Sequence, residues 1–193
     1  MRYAINFLLL GLIVFAGFLV YKSIQDPIAF QAEKEVRKSA VAKNLQEIRT
    51  LQEIYRSITG SFAGSYEELV SVISKDSIPF ENIIGDPDDP TNLDKIQRIT
   101  TYASAADSVK ALGINLEGLN IVPFSEGKKF EFFADTIEYQ STKVHVVEVS
   151  TTWKDFMGSF ADPKYRKFDN RYDPEAPFKF GDRNTPSLNG TWQ

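Results

Sequence analysis

Residues 4–21 read Ala-Ile-Asn-Phe-Leu-Leu-Leu-Gly-Leu-Ile-Val-Phe-Ala-Gly-Phe-Leu-Val-Tyr, and residues 41–58 read Val-Ala-Lys-Asn-Leu-Gln-Glu-Ile-Arg-Thr-Leu-Gln-Glu-Ile-Tyr-Arg-Ser-Ile. The first stretch carries no charge. As a helix it is roughly 27 Å long, enough to cross the hydrocarbon core of a bilayer. Tyr3 and Tyr21 flank it where amphipathic rings anchor at the interface. The second stretch places Val41, Leu45, Ile48, Leu51, Tyr55 and Ile58 at steps of three and four, a single apolar stripe on one helix face. Together they predict an α+β protein: a transmembrane helix continuing into an amphipathic helix packed on a small antiparallel sheet, then an irregular C-terminal tail. The expected organisation is a tail at 1–3, the membrane helix at 4–21, a helical stalk at 22–59 and a globular domain at 60–193. An extended strap is expected from about residue 162.

Outside the apolar run about 170 residues remain, enough for one domain with a real core. Aromatic residues form 13% of the 193-residue chain, with fifteen Phe and eight Tyr to fill that core. The formal net charge is −4 and no long basic run occurs, so nucleic acid is not an expected partner. There is no cysteine, which excludes disulfides, thiolate metal sites, a cysteine nucleophile and a lipidated signal. The apolar run is longer than a usual signal-peptide core, and no small-x-small cleavage site follows it closely, so an uncleaved anchor is expected. The lipid bilayer is thus the first partner, contacted by residues 4–21.

Asp26-Pro27 suits a helix start and suggests a weak joint at 22–27. Before Val41 the apolar stripe thins to Phe30 and Val36 among charges, predicting a helix that is solvated there and packed only in its second half. Gly60 is a natural helix terminator. Ser65 with Glu68 reads as a capping box opening a short helix around Leu69, Val70, Val72 and Ile73. Strands are expected in 96–102 and 118–124, with a short segment of ambiguous type at 105–112. Residues 129–139 and 142–150 read as a β-hairpin around Gln140-Ser141. A short helix at 153–160, capped by Ser150 or Thr151, follows. The tail's spaced aromatics suggest a strap over the sheet, with an edge strand at 178–180.

The segment Leu51-Gln52-Glu53-Ile54-Tyr55-Arg56-Ser57-Ile58-Thr59-Gly60-Ser61-Phe62, followed by Glu67-Glu68-Leu69, resembles type IV pilins and the pseudopilins of type II secretion over roughly residues 4–75. In those proteins a hydrophobic helix runs into an amphipathic one lying on a small antiparallel sheet. The resemblance implies a structural subunit of a cell-envelope complex, in the cytoplasmic (inner) membrane. Its C-terminal domain would be periplasmic or extracellular. Where that family carries a basic leader and an acid within the apolar run, this chain has Met1-Arg2-Tyr3 and Asn6, so leader-peptidase processing is not expected. Lys22, Lys34, Arg37 and Lys38 follow the run against Arg2 before it, a charge balance that argues for the opposite orientation.

Chemistry is sparse. Asp86, Asp88 and Asp89 in a proline-broken loop supply oxygens for calcium, without the ordered spacing of an EF-hand; a solvated turn is the plainer reading, and no other cofactor is implied. His145 is the only histidine, too few for a serine triad or a multi-histidine metal site. Glu131, Asp135 and Glu138 form a solvated strand face or a carboxylate group. No nucleophile elbow, phosphate loop or dinucleotide fingerprint occurs, so no catalytic residue is assigned. The interaction candidates are Val41, Leu45, Ile48, Leu51, Tyr55 and Trp192, with the stripe expected to pack on the chain's own sheet. Two functions follow: a membrane-anchored subunit assembling with itself or a larger membrane complex, or a membrane-tethered enzyme using the acidic loop.

Overall fold

A computed structural model describes residues 2–84 and 97–192. Helix α1 runs without a break from Arg2 to Thr59, 58 residues, with Pro27 inside it. No joint forms at residues 22–27. Pro27 costs the helix one backbone hydrogen bond, but the helix formers Ala29, Gln31, Ala32 and Glu33 that follow it carry the helix on. Gly60 stops the helix in the left-handed region at φ 84°, its N–H donating to the Arg56 carbonyl at 2.8 Å.

The loop after α1 is held by side chains of the helix itself. Buried Gln52 both donates to the Ala63 carbonyl (3.0 Å) and accepts from the Ala63 N–H (2.9 Å). Helix α2 (Tyr66–Lys75) then starts at Ser65, whose hydroxyl accepts from the Glu68 N–H. Glu68 reaches back as the capping-box logic requires, but to the Gly64 N–H (3.1 Å) and to the Tyr55 hydroxyl (2.6 Å). Burial, then that carboxylate's bond and charge, push the Tyr55 hydroxyl up to about 12.

Strands β1 (Ser77–Ile84) and β2 (Gln97–Ser104) pair antiparallel in a separate two-stranded ribbon, from Ser77 opposite Ser104 to Ile84 opposite Gln97. Sequence reading found β2 but not β1, because Pro79 and Glu81 break the strand pattern; a two-stranded ribbon has only edge positions, where proline is tolerated. Helix α3 (Ala105–Ala111) follows directly. The strand expected at 118–124 does not form. Gly118 (φ 74°) and Phe124 (φ 61°) adopt left-handed turns, and only Ile121 makes a single bridge, to Lys129.

Strands β3 (Glu131–Tyr139) and β4 (Thr142–Thr152) form the expected hairpin. Gln140 (φ 50°) and Ser141 (φ 63°) both take positive φ, as a two-residue type I′ turn requires. Helix α4 (Trp153–Met157) is capped one residue later than expected, by Thr152 with Asp155. Strand β5 (Pro177–Gly181) pairs with β4, giving the order β3-β4-β5. Gly181 is required there: at φ 80°, a Cβ would sit 2.0 Å from the Val147 carbonyl oxygen. The free edge of β5 is covered by the end of the chain, through Thr191 N–H to Lys179 O and Gly181 N–H to Asn189 O.

The core lies between α1, α2, the sheet and the tail. Val41, Leu45, Ile48, Leu51 and Tyr55 from α1 meet Leu69 and Ile73 of α2, Val147 and Val149 of β4, and Phe178 and Phe180 of β5.

Candidate functional site

Two regions of α1 set out what the molecule offers to its surroundings. In the first, the apolar side chains from Ile5 to Ile24 face outward: Phe7 is 80% exposed and Val14 67% exposed. None of the other described residues covers this segment, whose mean hydropathy reaches 2.2. Leaving one large aliphatic or aromatic side chain in water costs on the order of 1.5–3 kcal/mol. By length and composition this helix suits a membrane span or a signal sequence.

The second region begins at Phe30, which is wholly buried. Sequence reading placed it on a solvated stretch; the tail reverses that. Tyr165 stacks on the Phe30 ring (5.3 Å between centroids, 5° between planes), and Tyr172 meets it edge-on at 5.1 Å. Phe160 and Phe168 close the group at 6.0 and 6.1 Å. Such ring pairs add about 0.5–1.5 kcal/mol each beyond the area they bury. Polar contacts lock this clasp. The Tyr172 hydroxyl donates to the Phe160 carbonyl at 2.8 Å, Gln31 donates to the Phe168 carbonyl at 3.3 Å, and Lys34 pairs with Asp169. Burial, reinforced by the charge of Asp173, pushes the Tyr172 hydroxyl up to about 12. The Lys34 bond holds the Asp169 carboxyl below its ordinary value, helped by the Arg171 N–H. The strap therefore wraps the helix where it leaves the apolar run, as well as the sheet edge.

The outer face of the sheet carries the molecule's buried charge. Glu148, 6% exposed at the centre of β4, pairs with Lys179 of β5 and accepts from Arg183 Nε at 2.7 Å. The Arg183 guanidinium lies over the Phe133 ring at 4.7 Å. Beside it runs an open groove of about 450 Å³ lined by Lys128, Glu131, Ser150, Asp155 and others. Burial would raise the Asp155 carboxyl, but bonds from Lys128, the Thr152 N–H and the Thr152 and Thr151 hydroxyls outweigh it and hold it at about 2. Along this groove Lys128 pairs with Asp155 and Arg183 with Glu148, while Lys129 reaches out to Glu67, so it reads as a structural ion network. The single acid in Val146-Val147-Glu148-Val149 was the available sequence signal for a buried pair.

The stripe residues Val41, Leu45, Ile48, Leu51 and Tyr55 are each at most 4% exposed and are consumed by the chain's own core. They offer no surface to a partner. Trp192 is half-buried, tilted against Phe178 at 5.9 Å. Asp86, Asp88 and Asp89 lie outside the described residues. Among the described residues, no group of three or more metal-binding side chains gathers. Glu131 and Asp135 share the outer sheet face, whereas Glu138, an odd number of residues away, lies on the opposite one. His145 takes a hydrogen bond with the Thr136 hydroxyl across the hairpin at 2.9 Å.

Comparison with family models, with curated proteins and with solved structures finds no match to this chain.

Proposed function

We propose that this chain is a membrane-anchored structural or interaction subunit, pilin- or pseudopilin-like in architecture. In this reading residues 4–21 lie in the lipid bilayer, and the domain assembles with itself or with an envelope complex. The carrying observation is the uncovered apolar half of α1, rigidly continuous with a half that is locked into a folded domain. One helix joins the apolar run to the core with no break, which supports an anchor that stays with its domain. The cytoplasmic (inner) membrane, with the domain on its outer side, follows from the pilin-like resemblance.

Fractionation of cells making the full chain tests the anchor: the protein resists alkaline carbonate extraction and co-purifies as an oligomer or complex in mild detergent. Extraction into the soluble fraction overturns the anchor, and a discrete monomer overturns assembly. Alkaline phosphatase fused after Gln193 is active under this proposal; an inactive fusion places the domain in the cytoplasm.

A further inference from the structure

We propose that the junction of α1 with the aromatic clasp is a binding site for the anionic phosphodiester headgroup of a membrane lipid. The inference rests on the anchor reading and adds a lipid preference to it. Where the apolar run ends at Tyr21, Lys22 begins an open cleft of about 300 Å³. Lys22, Asp26 and Ala29 of α1 form one wall, and Lys164, Tyr165 and Lys167 belong to the other. Three ammonium groups face Asp26, and one of them, Lys164, is also paired with Asp162, so the cleft keeps a net positive charge.

Acids around the cleft are already engaged. Asp162 pairs with Lys164 at 3.4 Å, Asp173 with Arg166 and Asp169 with Lys34. Among the described residues, Lys22 and Lys167 have no acidic partner. Lys164 lies over the Tyr165 ring at 5.0 Å and Lys167 over the Phe168 ring at 4.6 Å, with the remaining faces of both ammoniums open to solvent. Ring and ammonium together match the chemistry of the bilayer interface, where aromatic bodies sit among headgroups and lysines reach for phosphate.

Depth agrees with this chemistry. Asp26 and Ala29 are five and eight residues beyond Tyr21, roughly 7–12 Å along the helix axis. The headgroup layer of one leaflet is about 5–8 Å thick. A lysine stem spans the difference, so the cleft opens on the phosphates. The tail is held on Phe30 by the stacked ring of Tyr165 and the tilted ring of Phe168.

The test uses the full chain reconstituted in phosphatidylcholine vesicles carrying spin-labelled phosphatidylglycerol or spin-labelled phosphatidylcholine. The relative association of the two labels with the protein is read from the motionally restricted signal. At low salt phosphatidylglycerol is favoured, by roughly five-fold for each lysine that faces a headgroup. The Lys22→Gln, Lys164→Gln, Lys167→Gln triple variant brings the preference to near unity, while the triple Arg variant keeps it. Equal association of both labels with the wild-type chain, or a preference that survives the triple Gln change, overturns the proposal. Inorganic phosphate at matched ionic strength leaves the preference in place; selective competition by phosphate shows a free-anion site and overturns it. No restricted signal with either label overturns the anchor itself, and so separates that failure from loss of lipid selectivity alone. The three lysines are exposed, so the triple Gln variant melts with the wild-type chain.

Discussion

Both halves of α1 carry phenylalanine, and its side chains meet opposite fates in the two. Phe15 and Phe18, in the first half, are 62% and 57% exposed, whereas Phe30, twelve residues further on, is sealed. Hydrophobicity alone does not separate them. What differs is a partner: Tyr165, Phe168 and Tyr172 arrive from more than 130 residues away and close over Phe30, and none of the described residues closes over Phe18. One uninterrupted helix thus connects a surface satisfied from within to an apolar one that the described residues leave uncovered.

The largest effect expected from breaking this arrangement is on partitioning. Removing residues 1–21 moves the chain from the membrane to the soluble fraction, and the remaining domain keeps its melting transition because none of its core is lost. Ultracentrifugation and thermal melting read the two halves of this claim. A truncated protein that still pellets with vesicles would show the domain itself carries the affinity.

Phe30→Ala comes next, at about 3–5 kcal/mol of stability for the loss of a buried aromatic ring. Phe18→Ala leaves the domain's stability within about 0.5 kcal/mol, since it touches none of the core. Denaturant melts of the pair measure the contrast directly. Equal effects would mean the clasp does not close.

Asp155→Asn is smaller, about 1–2 kcal/mol, the cost of weakening a cap. It has a pH signature. Because the folded carboxyl is held at about 2 against an ordinary 3.8, its contribution is complete above the ordinary value and vanishes as pH falls through about 2. Wild-type and variant stabilities therefore differ at pH 6 and converge toward pH 2. A constant gap across that range would contradict the capping role.

Pro27→Ala has the smallest global effect. It restores the N–H that proline lacks and slows hydrogen exchange around residues 24–30, while the denaturant midpoint of the domain hardly moves. Unchanged exchange there would mean the proline imposes no local weakness.

Local features were legible in the sequence and long-range ones were not. The type I′ hairpin could be read because alternation and a two-residue break are written in consecutive residues. Gly60, Ser65 and the stripe from Val41 to Tyr55 are equally local. Phe30 was misread because its own neighbours, Gln31, Glu33 and Lys34, are polar and describe a solvated helix; its partners lie in the tail. The Glu148 network has the same origin, since Lys179 and Arg183 belong to a later strand and loop. The uncovered apolar run needed no fold at all to be seen.

The central claim is that α1 passes from lipid to protein core between Tyr21 and Phe30. The chain has no cysteine, so single substitutions report cleanly. In native membranes, a membrane-impermeant maleimide offered from the domain side should label Glu35→Cys rapidly and leave Ile13→Cys unlabelled. Both side chains face outward from the protein itself, Ile13 at 66% exposure, so the fold does not shield Ile13 and a bilayer does. Labelling of Ile13→Cys as fast as Glu35→Cys would contradict the account.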